Sequence, residues 1–475
     1  MEIIPAPPTD QIKPVDNIRT CTFFIVRELL DQGRLKNALD DLIRHHWRKL
    51  GGRLVSRPRD KRLEYQVPDK FDDHHVLFNW SSATYGHSID KVPAVVCSPP
   101  QDRGVLLLPP VEEVDSRFRP AEWPLHRRDE PPDAPLLYVH LSLFEDATII
   151  CISAPHALGD QMGLGNMMRA WLGLVDGKTP PPMVGYRGDL MPGADRPYAD
   201  WPRHEVCRKG KQRILGMVEY FLVLIIVILD LAVNPREKRH VMFIPLPLIR
   251  SLRERYSKTL AEKHSDFTRI SDGDVVTAIA FKLSRINKKT PWRHTLSQTV
   301  NLRGRIPLLQ GDAPEAFIHN AICSSATQIQ LDQSVPASEI AWANRKAIQE
   351  ALRPEEIEVQ MTVYREMVRV GQGTLICEPL QRFLHVTNWC AAWKDLDFSP
   401  AVDARRREKG EGKGKGEKPK VVVLGHAVEP GTPLRYLLIV FSRSEEGYYM
   451  QFSAAKPTMR TVAEFLAENP DLEGF

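Results

Sequence analysis

The stretch PLLYVHLSLFEDATIICISAPHALGD, residues 135–160, decides the fold. Two runs rich in β-branched and aromatic residues, 136–144 and 147–154, are separated only by a short acidic break. Such a pair of runs is typical of a β-hairpin. The second run continues directly into PHALGD, and the apolar spacing of GLGNMMRAWLGLV after it predicts a helix. We therefore expect a strand end, a glycine turn and a helix start within residues 155–163.

His156 has the clearest chemical potential in this turn. A side chain at a strand end can leave the sheet and face a cleft. An imidazole has an unperturbed pKa of about 6.5, which suits a general base that removes a proton from a hydroxyl or an amine. Asp160 follows four residues later and can fix the loop by pairing with a cation or with backbone amides. Because HxxxD also occurs by chance, the motif on its own leaves a structural histidine open.

The composition of the whole chain is that of an ordinary globular protein. Its 475 residues, 43% of them apolar and 26% charged, suggest two or three domains and exclude collagen-like, wholly disordered and disulfide-scaffold proteins. A net charge of +4 does not call for a nucleic-acid partner. The seven cysteines include no CxxC pair, and the N-terminus has no basic region followed by an apolar one. We therefore expect an intracellular, cytoplasmic protein without a zinc site.

Two segments differ from the rest of the chain. Residues 214–233 are apolar except for Glu219 and Asp230, and the uninterrupted stretch 220–229 is shorter than the roughly 20 residues of a bilayer span. We expect a helix docked on protein or on a membrane surface, with a monotopic insertion and a true span as the alternatives. Residues 403–420 combine eight basic and four acidic side chains, cannot build a core, and should form a disordered loop.

Six landmarks occur in a characteristic order along the chain. They are KLGGRLV (49–55), the hairpin with HxxxD (135–160), RISDGDVVTAIAFKL (269–283), VNLRGRIP (300–307), AFIHNAI (316–322) and VTNWCAAWKDLDFSP (386–400). On these motifs the chain resembles the BAHD-like acyl-CoA-dependent acyltransferases, in particular their fungal branch in secondary metabolism. The resemblance runs nearly from end to end.

This resemblance implies an α/β fold of two chloramphenicol-acetyltransferase-like domains with a channel through their interface. We expect an N-terminal domain over 1–190 that carries HxxxD and a C-terminal domain over 240–475, joined by a crossover over 191–239 that contains the apolar helix. Acyl-CoA and the acceptor would enter the channel from opposite faces, with no tightly bound cofactor and no metal. His156 would act as the base for direct attack on the thioester, without an acyl-enzyme.

The resemblance also implies which residues support the base. Asp160 would point away from the substrate and pair with Arg303, which would join the catalytic loop to the second domain. The alternative is that Arg303 faces solvent at a strand end. After Asp160 the family generally has glycine, whereas this chain has Gln161, which either relaxes the turn or lines the pocket.

The C-terminal motif departs further from the family pattern. Only Asp397 and Phe398 remain of DFGWG, because residues 399–401 read SPA. Asp397 is the expected structural support here. The tryptophan that sometimes assists the oxyanion has no counterpart, so Thr387 is the candidate donor to the tetrahedral intermediate.

The main prediction is a monomeric O-acyltransferase that moves an acyl group, preferentially acetyl, to a hydroxyl of a secondary metabolite, with N-acylation as a variant. A free-standing condensation-type domain is a second interpretation, although Pro155 stands where those domains usually have the first of two histidines. A third is a non-catalytic ligand-binding or regulatory descendant of the same fold. Gln161 and the missing GWG favour that third interpretation.

Overall fold

The computed structural model describes residues 1–475 except 101, 103, 288–290, 333, 404–417 and 428–431. Most of the predicted loop 403–420 therefore lies outside the described residues. The strands of the described chain are β1 (Glu2–Pro5), β2 (Arg19–Val26), β3 (Arg53–Ser56), β4 (Leu63–Val67), β5 (Asn79–Thr84), β6 (Leu106–Leu108), β7 (Tyr138–Leu143), β8 (Thr148–Pro155), β9 (Glu237–Pro245), β10 (Trp292–Asn301), β11 (Ile322–Leu331), β12 (Arg382–Asn388), β13 (Val421–His426), β14 (Leu437–Arg443) and β15 (Gly447–Ala455). Its α-helices are α1 (Gln32–Asp41), α2 (Val111–Phe118), α3 (Gln161–Val175), α4 (Arg203–Val206), α5 (Met217–Val233), α6 (Leu246–Lys263), α7 (Asp272–Leu283), α8 (Ala337–Ala351), α9 (Pro354–Val370) and α10 (Lys456–Glu468).

The predicted hairpin is confirmed. β7 and β8 pair antiparallel in direct succession, with Leu143 opposite Thr148 at the turn. They belong to a five-stranded sheet in the order β13-β2-β8-β7-β5, and every residue of β8 is buried because the strand is central. The helix predicted over 163–175 is α3, which begins two residues earlier, at Gln161. It covers this sheet with Met168 and Trp171, which lie in the same apolar core as β8.

A second lobe is built on a seven-stranded sheet in the order β11-β10-β12-β14-β15-β9-β6. β12 runs parallel to both of its neighbours, whereas the other pairs are antiparallel. α7 and α8 cover this sheet and share a separate apolar core with it. The two α/β lobes agree with the predicted fold class.

Two strands cross between the lobes. β13 comes from the C-terminal half of the chain but pairs antiparallel with β2 at the edge of the first sheet. β6 comes from the N-terminal half but pairs with β9 at the edge of the second sheet. Sheet membership therefore does not follow the predicted boundaries at residues 190 and 240, since each lobe contains chain from the other half.

A buried ion pair fixes the crossing strand β13. His426 Nε2 lies 2.7 Å from Asp115 Oδ1, and both side chains are buried. Burial by itself would lower the pKa of His426, but Cys21 and Asp115 beside it raise the pKa to about 10. Burial would also raise the pKa of Asp115, but hydrogen bonds from His426 and Arg119 lower it to about 2. The pair is therefore ionised around neutral pH.

The apolar segment predicted over 214–233 forms α5 on the connection between the lobes. Val223 is its buried residue, whereas Met217 is 91% and Phe221 59% exposed. Among the described helices, none combines the length and the apolar character needed to cross a bilayer.

Candidate functional site

The sheet delivers His156 to the end of β8. The backbone N–H of His156 donates to the Ile18 carbonyl at 2.9 Å, and its own carbonyl accepts from Gly159 at 3.2 Å, which closes a tight turn. The side chain is partly exposed, while its Nδ1 atom is buried and has no hydrogen-bond partner among the described residues. The backbone of His156 is therefore fixed, and its side chain is partly exposed. The nitrogen without a partner is the buried Nδ1, so a ligand would meet the exposed part of the ring.

Asp160 uses both carboxylate oxygens within the protein. Oδ1 accepts from the backbone N–H of Gly163 at 2.9 Å and so caps the N-terminus of α3. Oδ2 accepts from Arg303 Nη1 at 2.9 Å and from the backbone N–H of Ala321 at 3.0 Å. The structure thus brings the predicted pair together, across the two halves of the chain.

Arg303 is buried, so the alternative that it faces solvent is wrong. The residue is 6% exposed. Besides Asp160 it donates to the Phe317 carbonyl from Nε and Nη2, at 3.3 Å each, and to the His319 carbonyl from Nη2 at 2.6 Å. The planar guanidinium group of arginine carries several N–H donors and can therefore reach these three acceptors at once.

A second connection reaches the His156 loop through Asn320. Its side-chain amide donates to the His156 carbonyl at 2.9 Å and to Asp10 Oδ1 at 2.7 Å. Asp10 Oδ2 lies 2.5 Å from His319 Nδ1, and His319 Nε2 lies 2.9 Å from Lys49 Nζ. A continuous buried network therefore runs from Lys49 to the backbone of His156.

The charges of this network follow from its burial. Desolvation lowers the pKa of Lys49 to about 8, against the attraction of Asp10. Desolvation also lowers the pKa of His319, so this imidazole is neutral between the lysine and the aspartate. Sequence reasoning quoted 49–55 and 316–322 only as landmarks and missed these roles. Asp10 gives no local signal, because only the fold brings it to His319.

Gly163 allows the two halves to approach closely. A Cβ atom built at this position would lie 1.8 Å from the Ile318 carbonyl oxygen. The start of α3 therefore lies directly against the 317–319 segment that binds Arg303.

The other three predicted site residues have hydrogen-bond partners elsewhere in the protein. Gln161 is buried, and its Oε1 accepts from Thr22 Oγ1 at 3.4 Å. Thr387 lies on β12, where its hydroxyl oxygen accepts from Trp389 Nε1 at 3.2 Å. Asp397 Oδ1 accepts from the Ser399 backbone at 2.9 Å, which supports the short turn that replaces GWG. No described contact joins these three side chains to His156, and their roles stay predictions.

The interface channel also stays a prediction. One cavity of about 850 Å³ lies beside the C-terminal end of α5, and another of about 440 Å³ lies between residues 193–199 and α9. His156 lines neither of them.

One group of metal-ligating side chains occurs among the described residues. It consists of Cys21, Asp115 and His426, all buried. Arg119 already donates to both oxygens of Asp115, and His426 bonds to the same carboxylate. This cluster is therefore a structural ion-pair network.

Comparison with known proteins agrees with the fold and the landmarks. No family model matches the sequence. The chain is 29% identical over 390 residues to the acetyltransferase adrJ of Penicillium rubens, covering 79% of this chain and 77% of that protein. It is 24% identical to the transcriptional regulator calD of Penicillium decumbens, covering 98% and 96%. The structure of F. graminearum TRI101 with coenzyme A and T-2 mycotoxin matches with a TM-score of 0.68 at 12% identity, covering 98% and 97%.

These similarities agree with the predicted class. The chain has the two-domain fold of the BAHD-like acyltransferases, and its resemblance to their fungal branch is confirmed. The comparisons support the predicted enzyme class, an acyl-CoA-dependent O-acyltransferase of secondary metabolism.

Proposed function

We propose that this chain transfers an acyl group, preferentially acetyl, from acyl-CoA to a hydroxyl of a secondary metabolite, with His156 as the general base. One observation carries the proposal. His156 stands at a strand end with a partly exposed side chain, and two connections tie its loop to the other half of the chain. Names of relatives, acetyltransferases among them, and the coenzyme A bound by TRI101 support the same reaction.

The reaction needs one proton carrier and one acyl donor. The imidazole of His156 removes the hydroxyl proton of the acceptor while the acceptor oxygen attacks the thioester carbonyl carbon. The tetrahedral intermediate then collapses, the C–S bond breaks, and the leaving sulfur takes the proton back from the imidazolium. Thr387 is the proposed donor to the intermediate's oxyanion. Asp160 acts through position alone, because both of its oxygens are occupied inside the protein.

The substitution His156→Ala tests the base. We expect the transfer rate to fall about 10²–10⁴-fold, the share that general-base catalysis supplies, with the melting temperature unchanged. The assay follows thiol release from acetyl-CoA with a panel of hydroxylated fungal metabolites and identifies the product by mass spectrometry. His74→Ala, an exposed histidine outside the site, is the matched control. An unaltered rate in His156→Ala with an accepted substrate would refute the proposed mechanism.

A second candidate function is ligand binding without turnover. The similarity to the regulator calD covers nearly the whole chain, and SPA replaces the family's GWG at 399–401. Calorimetry with coenzyme A separates the two functions. Binding without product on any acceptor favours the regulatory function, whereas product formation excludes it.

We propose further that the chain works as a monomer in the cytoplasm and that segment 214–233 contacts a membrane surface. The monomeric state is the one that the resemblance to the acyltransferase family implies. Light scattering of the purified chain measures this state directly.

A further inference from the structure

The outer face of α5 is a continuous apolar surface. At about 100° per residue, Met217, Phe221 and Ile228 fall within about 40° of one another on the helix. They are 91%, 59% and 58% exposed. Val218 and Leu229 extend the same face and are exposed as well. An apolar face of this extent on the surface of a protein marks an interaction site.

The two acidic residues of α5 are both bound by the protein. Glu219 is bound by both terminal nitrogens of Arg213, at 2.8 and 2.9 Å. Asp230 accepts from Tyr436 Oη at 2.8 Å and lies 3.3 Å from Arg435. The outer face therefore carries no charged side chain.

The same contacts fasten the helix lengthwise to the protein. Arg213 also pairs with Glu378 at 3.1 Å near the N-terminal end of α5, while Arg435 and Tyr436 hold the C-terminal end. The 17 residues of α5 extend about 25 Å, which is less than the roughly 30 Å of a bilayer core. A helix that is bound to the protein at both ends can lie along a membrane surface, but it cannot cross the membrane.

Basic residues flank α5 on both sides. Residues 203–213 contain five arginines and lysines against one glutamate, and residues 234–240 contain three against one. The net +6 of these two short flanks exceeds the +4 of the whole chain. Four of these eight cations are paired with glutamates of the protein: Arg208, Lys211, Arg213 and Arg239. The other four have no ion-pair partner among the described residues and are available to an external anion: Arg203, Lys209, Arg236 and Lys238.

Further cations line the cavity of about 850 Å³ at the C-terminal end of α5. Leu231 of the helix lines it together with Lys238 and Lys456. Two of the glutamates that also line it, Glu112 and Glu237, are paired with Arg239. In the part of the chain that the structure describes, neither of the two lysines has an ion-pair partner.

We infer that α5 lies in the plane of a membrane surface that contains anionic lipids, with its outer face among the acyl chains and the basic flanks on the headgroups. Helices of this kind combine apolar insertion with attraction to anionic lipid. The inference rests on the proposed membrane contact and is independent of the acyl-transfer chemistry.

Vesicle sedimentation of the full chain tests the inference. The probes are vesicles of pure phosphatidylcholine and vesicles in which one quarter of the lipid is phosphatidylserine. We expect the anionic vesicles to bind at least roughly ten-fold more tightly, since each basic residue near the surface contributes several-fold. Added salt should weaken this preference, because it screens the surface charge.

Matched variants separate the two parts of the contact. Phe221→Gln with Ile228→Gln should reduce binding to both vesicles by roughly 100-fold, because two apolar side chains no longer leave water. Val76→Gln, at a position 53% exposed elsewhere, should leave binding unchanged. Lys238→Gln with Lys456→Gln should reduce only the preference for anionic lipid.

Three results would overturn the inference. These are a wild-type chain that binds neither vesicle, a Phe221→Gln/Ile228→Gln variant that binds like wild type, and a wild-type dimer that this variant converts to monomer. The last would assign the face to a second copy of the chain. The His156→Ala variant separates this inference from the catalytic proposal, because it should bind vesicles like the wild type. If this variant loses acyl transfer but still binds vesicles, both proposals stand. If it keeps acyl transfer and still binds vesicles, only the catalytic proposal is contradicted.

Discussion

Replacing Asp160 by asparagine removes a charge while keeping the shape of the side chain. The native carboxylate accepts three hydrogen bonds, from Gly163 on one oxygen and from Arg303 and Ala321 on the other. An amide has a single acceptor atom, so one side of the substituted side chain must face a donor with its own N–H group. No rotamer flip avoids this conflict.

The cost follows from the burial of the pair. Arg303 would keep its charge at 6% exposure without a counter-ion, and breaking a buried pair on one side costs about 3–5 kcal/mol. The disturbed cap of α3 adds about 1 kcal/mol. We expect the free energy of unfolding to fall by about 4 kcal/mol and kcat to fall about 10²-fold, because the His156 loop loses its fixed position.

Urea denaturation followed by fluorescence and steady-state kinetics on the same preparation measure both effects. Asp176→Asn is the control at the other end of α3, where an exposed pair with Lys178 spans 2.7 Å. We expect a change below about 1 kcal/mol there, as for surface pairs in general. If Asp160→Asn matches this control in stability and the wild type in kcat, the positioning role of Asp160 is wrong.

Three further outcomes follow from the buried groups. Lys49 has a pKa of about 8 in the folded chain, whereas its ordinary value is 10.5. Between pH 8 and 10.5 the unfolded chain therefore binds more protons than the folded chain. The free energy of unfolding should rise with pH over this interval, by up to about 3 kcal/mol. Lys49→Met should abolish this contribution in pH-dependent urea denaturation, and an identical slope in both proteins would contradict it. His426 has its pKa raised to about 10, so its pair with Asp115 should stabilise the fold fully below pH 6.5 and lose this contribution as pH rises to about 10. The difference between wild type and His426→Gln, measured over that interval, should therefore shrink with pH, and a constant difference would exclude the ion pair. Gly163→Ala should lower stability by about 1–3 kcal/mol or more, because its Cβ would meet a carbonyl oxygen at 1.8 Å. Gly173→Ala in the same helix has its nearest neighbour at 3.9 Å and should be neutral or slightly stabilising, so equal effects at both glycines would refute the close approach.

Local pattern predicted the elements that surround the site. The hairpin 136–154 and the helix after His156 are confirmed because strand alternation and helical spacing are properties of adjacent residues. The apolar segment 214–233 also proved helical for this reason. The sequence did not predict which side of that helix faces outward. Glu219 and Asp230 are paired with Arg213 and Arg435, and these pairs form only in the folded chain.

The resemblance supplied one long-range contact that no pattern gives. Asp160 and Arg303 are 143 residues apart, and their pairing was predicted only by carrying a family role onto the sequence. Asp10, Lys49 and His319 had no such guide. Each looks like an ordinary polar residue in sequence, and only burial turns the three into one charge network.

The sequence by itself therefore supplied the resemblance to a class of enzymes, the histidine proposed as the base and the elements next to that histidine, because these depend on short-range periodicity and on ordered motifs. The tertiary structure alone decided that β13 and β6 exchange between the lobes, that α5 turns an uncharged face outward, and that a buried network supports the backbone of His156. The physical reason is that hydrogen bonds and ion pairs between distant segments form only where both partners are buried side by side. Which groups become neighbours in this way is decided by the folded chain.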